Sequence, residues 1–471
     1  MSQDGVPLCL DIIGTLTPAN IRHERFISAF KESPPLLGWL IRRWRENKRS
    51  ASRRPAPERT DAKILPLRAE LLQWLREQHE GGRRLVLVAD GDPQLAEQVV
   101  AHLGLFDEVA RTDGAGSAAE RKRRALVERF GAQGFDYAGS DPSDLIVWEA
   151  SRSALIVGNR RLADRVGLKT RVLRIFPTTK PTLRTWLKAI RLHQWVKNVL
   201  VFLPALLAHR IAEPAVLLQS TTAFVAFGCC ASSVYVINDL FDLTADREHP
   251  RKRHRPFAAA LLSVRSGVTV AVILLLCAAL LAALIGWQYA LVLACYYVVT
   301  WTYSLRLKRV ALLDVMMLAG LYTLRIIAGS AATRIELSFW LLAFSVFLFL
   351  SLGFVKRYAE IYDARKAGKL LGHGRGYGAE DLSLIMSLGT ASGYCAVVVI
   401  ALYINSVDSI ALYHHHKTMW LICPLMLFWI SRVWMLTARG HMHDDPVVFA
   451  LGDRISLLVM GALGLIVLWS V

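Results

Sequence analysis

From about residue 195 onward, apolar runs long enough to cross a bilayer alternate with short polar connections. Inside lipid the backbone has no water to bond, so runs of this kind can only fold as helices that satisfy their own amides. The spacing predicts about nine spans, near 195–209, 214–238, 266–286, 288–305, 310–331, 337–356, 384–405, 418–438 and 454–471. Residues 1 to about 180 have ordinary soluble composition, and 471 residues leave room for such a domain beside the membrane part. We therefore expect a soluble α/β domain over 1–175, a linker over 176–190 containing Pro177 and Pro181, and an all-α membrane bundle over 191–471.

The net charge of +18 is concentrated in particular connections. Lys180, Arg184, Lys188 and Arg191 precede the first span. Arg247, Arg251, Lys252, Arg253 and Arg255 follow the second, and Arg306, Lys308 and Arg309 follow the fourth. Arg357, Arg365, Lys366, Lys369 and Arg375 follow the sixth, and Arg439 and Arg454 bound the loop after the eighth. The opposite connections carry little beyond Arg210, Arg334 and Lys417. The basic loops thus share one side, which the positive-inside rule makes cytoplasmic, together with the soluble domain. This pattern points to a bacterial-type inner or plasma membrane and to phosphate binding, not to nucleic acid. The amino terminus has no basic stretch followed by an apolar one, so no cleavable signal is expected. The seven cysteines have neither zinc-site spacing nor a disulfide pattern.

At the end of the second span stand Asn238-Asp239-Leu240-Phe241-Asp242-Leu243-Thr244-Ala245-Asp246, and a dense basic block follows. Acids at i, i+3 and i+7 would share one helix face. Carboxylates so placed at a membrane helix mouth suit Mg²⁺, which takes one or two protein oxygens and completes its shell with water and substrate phosphate. Neighbouring Arg and Lys can clamp the same phosphates. A second cluster, Lys356-Arg357-Tyr358-Ala359-Glu360-Ile361-Tyr362-Asp363, closes the sixth span, with Lys356 and Glu360 at i,i+4. Asp314 and Arg325 lie within the fifth span, and ionisable residues there are functional candidates by default. They stand three turns apart, on one face but out of contact.

In the soluble part, Leu8–Thr17, Arg84–Asp92 and Phe135–Asp144 read as strands running into polar turns, separated by helical patterns, which predicts a parallel α/β sheet. These residues resemble the haloacid dehalogenase (HAD) superfamily: Asp11, Gly14, Thr15, Lys122 and Asp144 match its motifs. The general-acid position holds Ile13, the strand-two Ser/Thr position Ala89, and the first acid of the metal pair Ser140, with Asp141 adjacent. Ile13 cannot protonate a leaving group, a help worth about 10²–10⁴ in rate. The resemblance therefore implies a degenerate HAD-like, Rossmannoid domain with a structural or regulatory role, the alternative being a residual phosphatase. A basic stretch, Arg42–Pro55, reads either as a lipid-surface contact or as a solvated helical insertion.

The membrane part resembles the UbiA superfamily of intramembrane prenyltransferases, whose nine-helix bundle carries an Asn-Asp-x-x-Asp-x-x-x-Asp motif and a second polar motif. Within it, several details look like the decaprenyl-phosphate phosphoribosyltransferases: Arg191–Asn198, His249–Pro256, Leu324–Gly329, Lys356-Arg357-x-x-Glu360, and Asp445-Pro446 with Asp453-Arg454. That resemblance implies Mg²⁺-dependent transfer of 5-phosphoribose from phosphoribosyl diphosphate (PRPP) to a polyprenyl phosphate lipid. Asp239, Asp242 and Asp246, with Asn238, would hold Mg²⁺. Glu360 and Asp363 would place a second metal or a ribose hydroxyl. Lys197, Lys252, Arg253, Arg255, Arg325, Lys356 and Arg357 would bind phosphate. Two other readings stay open. One is an aromatic prenyltransferase using a polyprenyl diphosphate and a 4-hydroxybenzoate-like acceptor. The other is a transporter or a membrane scaffold for the HAD-like domain. Oligomeric state is not legible.

Overall fold

The computed structural model describes residues 5–32, 61–178, 180–366, 376–442 and 445–470. The Arg42–Pro55 stretch and the basic residues Lys369 and Arg375 lie outside the described residues. The chain divides into two compact units, one of residues 1–190 and 236–270, the other of residues 191–235 and 271–471. The first thus joins the soluble domain to the segment that carries the Asn238–Asp246 motif, a grouping the expected boundary at 191 does not make.

The first unit is built on six parallel strands, β1 (Leu8–Asp11), β2 (Leu85–Ala89), β3 (Glu108–Arg111), β4 (Asp136–Gly139), β5 (Ser153–Gly158) and β6 (Arg171–Pro177). Their order is β3-β2-β1-β4-β5-β6. Strands β1, β2, β4 and β5 are buried along their whole length, so β2 is a continuous apolar run, while β1 ends on Asp11 and β4 opens on Asp136, which Arg83 and Arg152 pair with. Leu8, Leu10, Leu85 and Leu87 pack on one face with Leu71, Leu75 and Val99. Cys9, Val86 and Val88 pack on the other with Leu126, Trp148 and Val166. In an open sheet of this order the connections diverge between β1 and β4, and the crevice beyond those strand ends is where polar groups and ligands collect. The expected linker over 176–190 is not wholly irregular. Pro177 ends β6, and Leu183–Ala189 is helical, started by Thr182, whose hydroxyl accepts from the Thr185 amide.

Six helices are long and apolar enough to cross a membrane: Pro214–Phe241, Val264–Ile285, Leu313–Thr333, Phe339–Lys366, Ala379–Ile404 and His416–Ala438. Counting the bent pair Pro446–Gly452 and Arg454–Ser470 as one span gives seven among the described residues, not the nine expected. The shortfall has local causes. The stretch expected at 195–209 is a 3-10 helix over Leu192–Phe202 and a short helix over Leu203–Leu207, with Lys197 and Asn198 buried inside it. The helix Trp287–Leu305 forms but carries Gln288, Thr300, Thr302 and Ser304 among its apolar residues. The stretch expected at 454–471 does form, as Arg454–Ser470, and is bent by 84° from the Pro446–Gly452 helix before it.

In the second unit, one cluster gathers Ile326, Val355, Ile385, Ile430 and Val433, and another gathers Phe227, Tyr289, Tyr296 and Ala328. Gly329 permits one close approach, since a Cβ there would lie 2.0 Å from the Val201 carbonyl oxygen. Outward-facing Leu276, Leu280 and Leu284 are exposed, as a hydrocarbon solvent allows.

Candidate active-site clusters

The Asn238–Asp246 motif is not one continuous helix. The long helix stops at Phe241, Asp242 takes φ −105° and ψ 17°, and a six-residue helix runs from Leu243 to Glu248. Aspartate favours helix ends over interiors because its side chain competes for local backbone groups. The break is shallow. The Asp242 amide still bonds the Asn238 carbonyl at 3.0 Å, and the Asp246 amide bonds the Asp242 carbonyl at 2.7 Å. Asp239 and Asp246, each 3% exposed, converge on one guanidinium. Arg255 Nη1 lies 3.1 Å from Asp239 Oδ1 and 2.7 Å from Asp246 Oδ2. Arg255 reaches them from beyond the 3-10 turn Lys252–His254, whose Lys252 and Arg253 are exposed. Asp242 is half-buried.

A cation already bridging two buried carboxylates shows what these oxygens attract. They are hard donors of the type Mg²⁺ takes, and two are enough when water and substrate phosphate fill the shell. No group of three or more His, Cys, Asp or Glu is gathered for a metal among the described residues. The fit is therefore to a metal shared with a phosphorylated substrate, not to a site closed by protein alone.

The second unit carries a different polar cluster. Asp445 begins the Pro446–Gly452 helix, accepting from the Val447 amide. Its Oδ2 lies 2.6 Å from Lys197 Nζ and 3.4 Å from Lys356 Nζ, and its Oδ1 accepts from the Tyr322 hydroxyl at 2.9 Å. Burial pushes the Asp445 carboxyl up, but Lys356 and Lys197 beside it hold it well below the usual carboxylate range. Two lysines thus share one carboxylate. Lys356 bonds Asp445, while Glu360, at i,i+4, acts on it through its charge.

Glu360 pairs instead with Arg357. Arg357 is 1% exposed and also lies 2.6 Å from Asp314, which accepts from the Tyr377 hydroxyl at 2.6 Å. Arg325 donates to Asn198 Oδ1 at 3.0 Å, to the Leu321 carbonyl at 2.5 Å and to the Tyr296 hydroxyl at 3.2 Å. Its guanidinium lies 5.1 Å from the Phe227 and Tyr296 ring centroids. Both arginines, expected among the phosphate binders, are committed to the interior of the bundle. Asp363 is exposed on the same helix as Glu360.

The soluble domain gathers Asp11, Lys122 and Asp144 at the β1/β4 divergence. Lys122 Nζ lies 2.5 Å from Asp11 Oδ2 and 3.1 Å from Asp144 Oδ1, and the Tyr137 hydroxyl reaches Asp144 at 3.1 Å. Thr15 is fully buried beside this strand end, its hydroxyl without a partner among the described residues. Burial pushes the Asp144 carboxyl up to about 6 against the pull of Lys122, and pushes Asp11 up as well. A carboxyl raised on folding loses stability as it ionises, so this part is most stable below the unfolded carboxylate range and weakens as pH rises through about 6. Lys122→Met removes the counter-charge. In that variant we expect lower protection factors, exchange measured against its base-catalysed intrinsic rate, in β1 and β4 at pH 8 than at pH 5; equal protection at both would refute the account.

A helical bundle with membrane-length apolar helices, a basic loop over paired carboxylates and a lysine-flanked aspartate defines an integral membrane protein suited to phosphorylated groups. The chain belongs to the UbiA prenyltransferase family, whose model matches residues 198–469. It is 36% identical to an uncharacterized protein, y4nM, of Sinorhizobium fredii over 464 residues, 97% of this chain and 89% of that one. It is 35% identical to the nodulation protein NoeC of Azorhizobium caulinodans over 60% of this chain and 93% of that one. It is 34% identical to decaprenyl-phosphate phosphoribosyltransferase of Mycobacterium tuberculosis over 58% of this chain and 89% of that one.

Proposed function

We propose that this membrane prenyltransferase-family protein moves 5-phosphoribose from PRPP to a polyprenyl phosphate, in a Mg²⁺-dependent reaction on the cytoplasmic face. The observation that carries the reading is the Lys197–Lys356–Asp445 cluster. Two lysine ammoniums brought to one place suit an anionic acceptor phosphate better than a neutral aromatic ring. The likeness to a decaprenyl-phosphate phosphoribosyltransferase supports the same choice.

In this reading Asp239, Asp242 and Asp246, with Asn238, would hold Mg²⁺, which would supply charge neutralisation to the leaving diphosphate. Arg255, Lys252 and Arg253 grip the diphosphate oxygens. Glu360 and Asp363 orient a second metal or a ribose hydroxyl. Lys197 and Lys356 hold the acceptor phosphate. The bond from ribose C1 to the diphosphate oxygen breaks, the diphosphate leaves with the electron pair, and an acceptor phosphate oxygen forms the new bond to C1. The amino-terminal domain is read as a degenerate HAD-like domain, its Asp11, Thr15, Lys122 and Asp144 kept while Ile13, Ala89 and Ser140 replace catalytic groups.

Purified protein given labelled PRPP, polyprenyl phosphate and Mg²⁺ is expected to yield a lipid-extractable label. No such label, together with prenylation of 4-hydroxybenzoate from a polyprenyl diphosphate, would replace this reading with the aromatic one.

A further inference from the structure

The acid motif is held from outside itself by two contacts that the transfer reaction does not use. Arg247, the residue after Asp246, has a side chain only 5% exposed. Its Nη1 and Nη2 donate to the two carboxylate oxygens of Glu24 at 2.8 and 2.7 Å, and its Nε donates to the Ala258 carbonyl at 2.9 Å. Glu24 stands in the first turn of the Ile21–Glu32 helix of the soluble domain. That helix is itself anchored at the end of β2, where Arg22 lies 2.9 Å from Asp90 and Arg25 pairs with Asp92. The second contact is from Lys188 Nζ to the His254 carbonyl at 3.3 Å, one residue before Arg255.

The soluble domain therefore grips the neighbour of Asp246 at one end of the basic loop, and the Leu183–Ala189 helix that follows it grips the neighbour of Arg255 at the other. Asp246 and Arg255 are the two groups that meet at 2.7 Å. The segment needs such support. The Leu243–Glu248 helix has six residues and no side-chain bond capping its start, too short to be stable alone. A two-pronged guanidinium–carboxylate pair fixes both distance and angle, which a point charge would not.

We propose that the amino-terminal domain is a positioning element for the transferase motif, with Glu24 acting through Arg247 to set the placement of Asp246 and Arg255. The proposal rests on the reading of the acid motif as the metal–diphosphate site. Glu24 is a positioning residue, comparable to the outer partners that orient metal ligands, whose loss lowers metal affinity about 10–100-fold.

The test uses the full chain in lipid nanodiscs, with Mn²⁺ binding read in the presence of inorganic diphosphate and no acceptor, and the Mg²⁺ dependence of transfer read separately. Glu24→Gln is expected to weaken Mn²⁺ binding about tenfold and to raise the Mg²⁺ needed for half-maximal transfer by a similar factor. Turnover at saturating Mg²⁺ should change much less. Arg247→Lys, which keeps the charge and loses the fork, should fall between, and the swap Glu24→Arg with Arg247→Glu should restore much of the binding. It supplies the reading if Glu24→Gln fails to fold. Unchanged Mn²⁺ binding and Mg²⁺ dependence in Glu24→Gln and Arg247→Lys, with Asp239→Ala inactive, would overturn the positioning role alone. An Asp239→Ala protein that keeps both Mn²⁺ binding and transfer would overturn the metal reading, and this proposal with it.

Discussion

Asp239→Ala is expected to lower transfer turnover by at least about 10²–10³-fold, the scale on which single preorganised charge-stabilising groups act. The variant removes one of the two buried carboxylates that share Arg255 and leaves that guanidinium bound to Asp246 alone. Asp239→Asn separates the two contributions, since it keeps an oxygen donor of similar shape and loses the charge. We expect it to bind Mn²⁺ weakly and to remain nearly as inactive as the alanine variant. Thermal unfolding of both proteins should stay near that of the parent, because each leaves the long Pro214–Phe241 helix otherwise unchanged. Substantial transfer by Asp239→Ala would remove the motif from the chemistry, whereas no transfer by the parent with activity in cells intact in Asp239→Ala would favour a transporter or scaffold.

The second large effect concerns stability. Arg357→Met should destabilise the bundle by about 3–5 kcal/mol, the usual result of removing one partner of a buried ion pair. Asp314 is fully buried, and without Arg357 it keeps only the Tyr377 hydroxyl among the described residues, a neutral donor for a buried carboxylate. The double variant Arg357→Met with Asp314→Leu should recover most of the loss, because no charge is then stranded. Denaturation of the detergent-solubilised protein measures both. An unchanged midpoint for Arg357→Met would show that the pair carries no structural weight, returning Arg357 to the candidate phosphate binders.

Much of this was legible in the chain because it is local. Apolar continuity announced the strands β1 and β2, and run length announced the six long membrane helices. The acid motif, its basic follower and the Lys356–Glu360 cluster were visible as spacing. The illegible parts are those in which distant residues choose among partners. Lys356 has Glu360 one turn away, yet it pairs with Asp445, 89 residues on. Asp445 drew notice only as Asp-Pro before the last span, a pattern that signals a helix start and says nothing about lysines. The Glu24–Arg247 pair spans 223 residues and joins two segments that composition assigns to different domains. The surplus of expected spans has another cause. Window composition counts apolar residues, but a buried Lys197 and scattered hydroxyls change what a run does without greatly changing its average.

The partners of Arg325 bear on how the protein is made. A guanidinium near the middle of a membrane helix costs about 2.5–3.5 kcal/mol to insert when nothing meets it. Asn198, Phe227 and Tyr296 all precede Arg325 in the chain, so translation has already delivered them when the Leu313–Thr333 helix emerges. Asp314 on the same helix is in the opposite position, since Arg357 and Tyr377 are synthesised after it. One end of this helix can be received by segments already in the bilayer, while the other must wait for the ribosome to finish the next helix and reach Tyr377. Biogenesis therefore has a built-in order, and truncation after Thr333 strands an acid where truncation after Tyr377 does not.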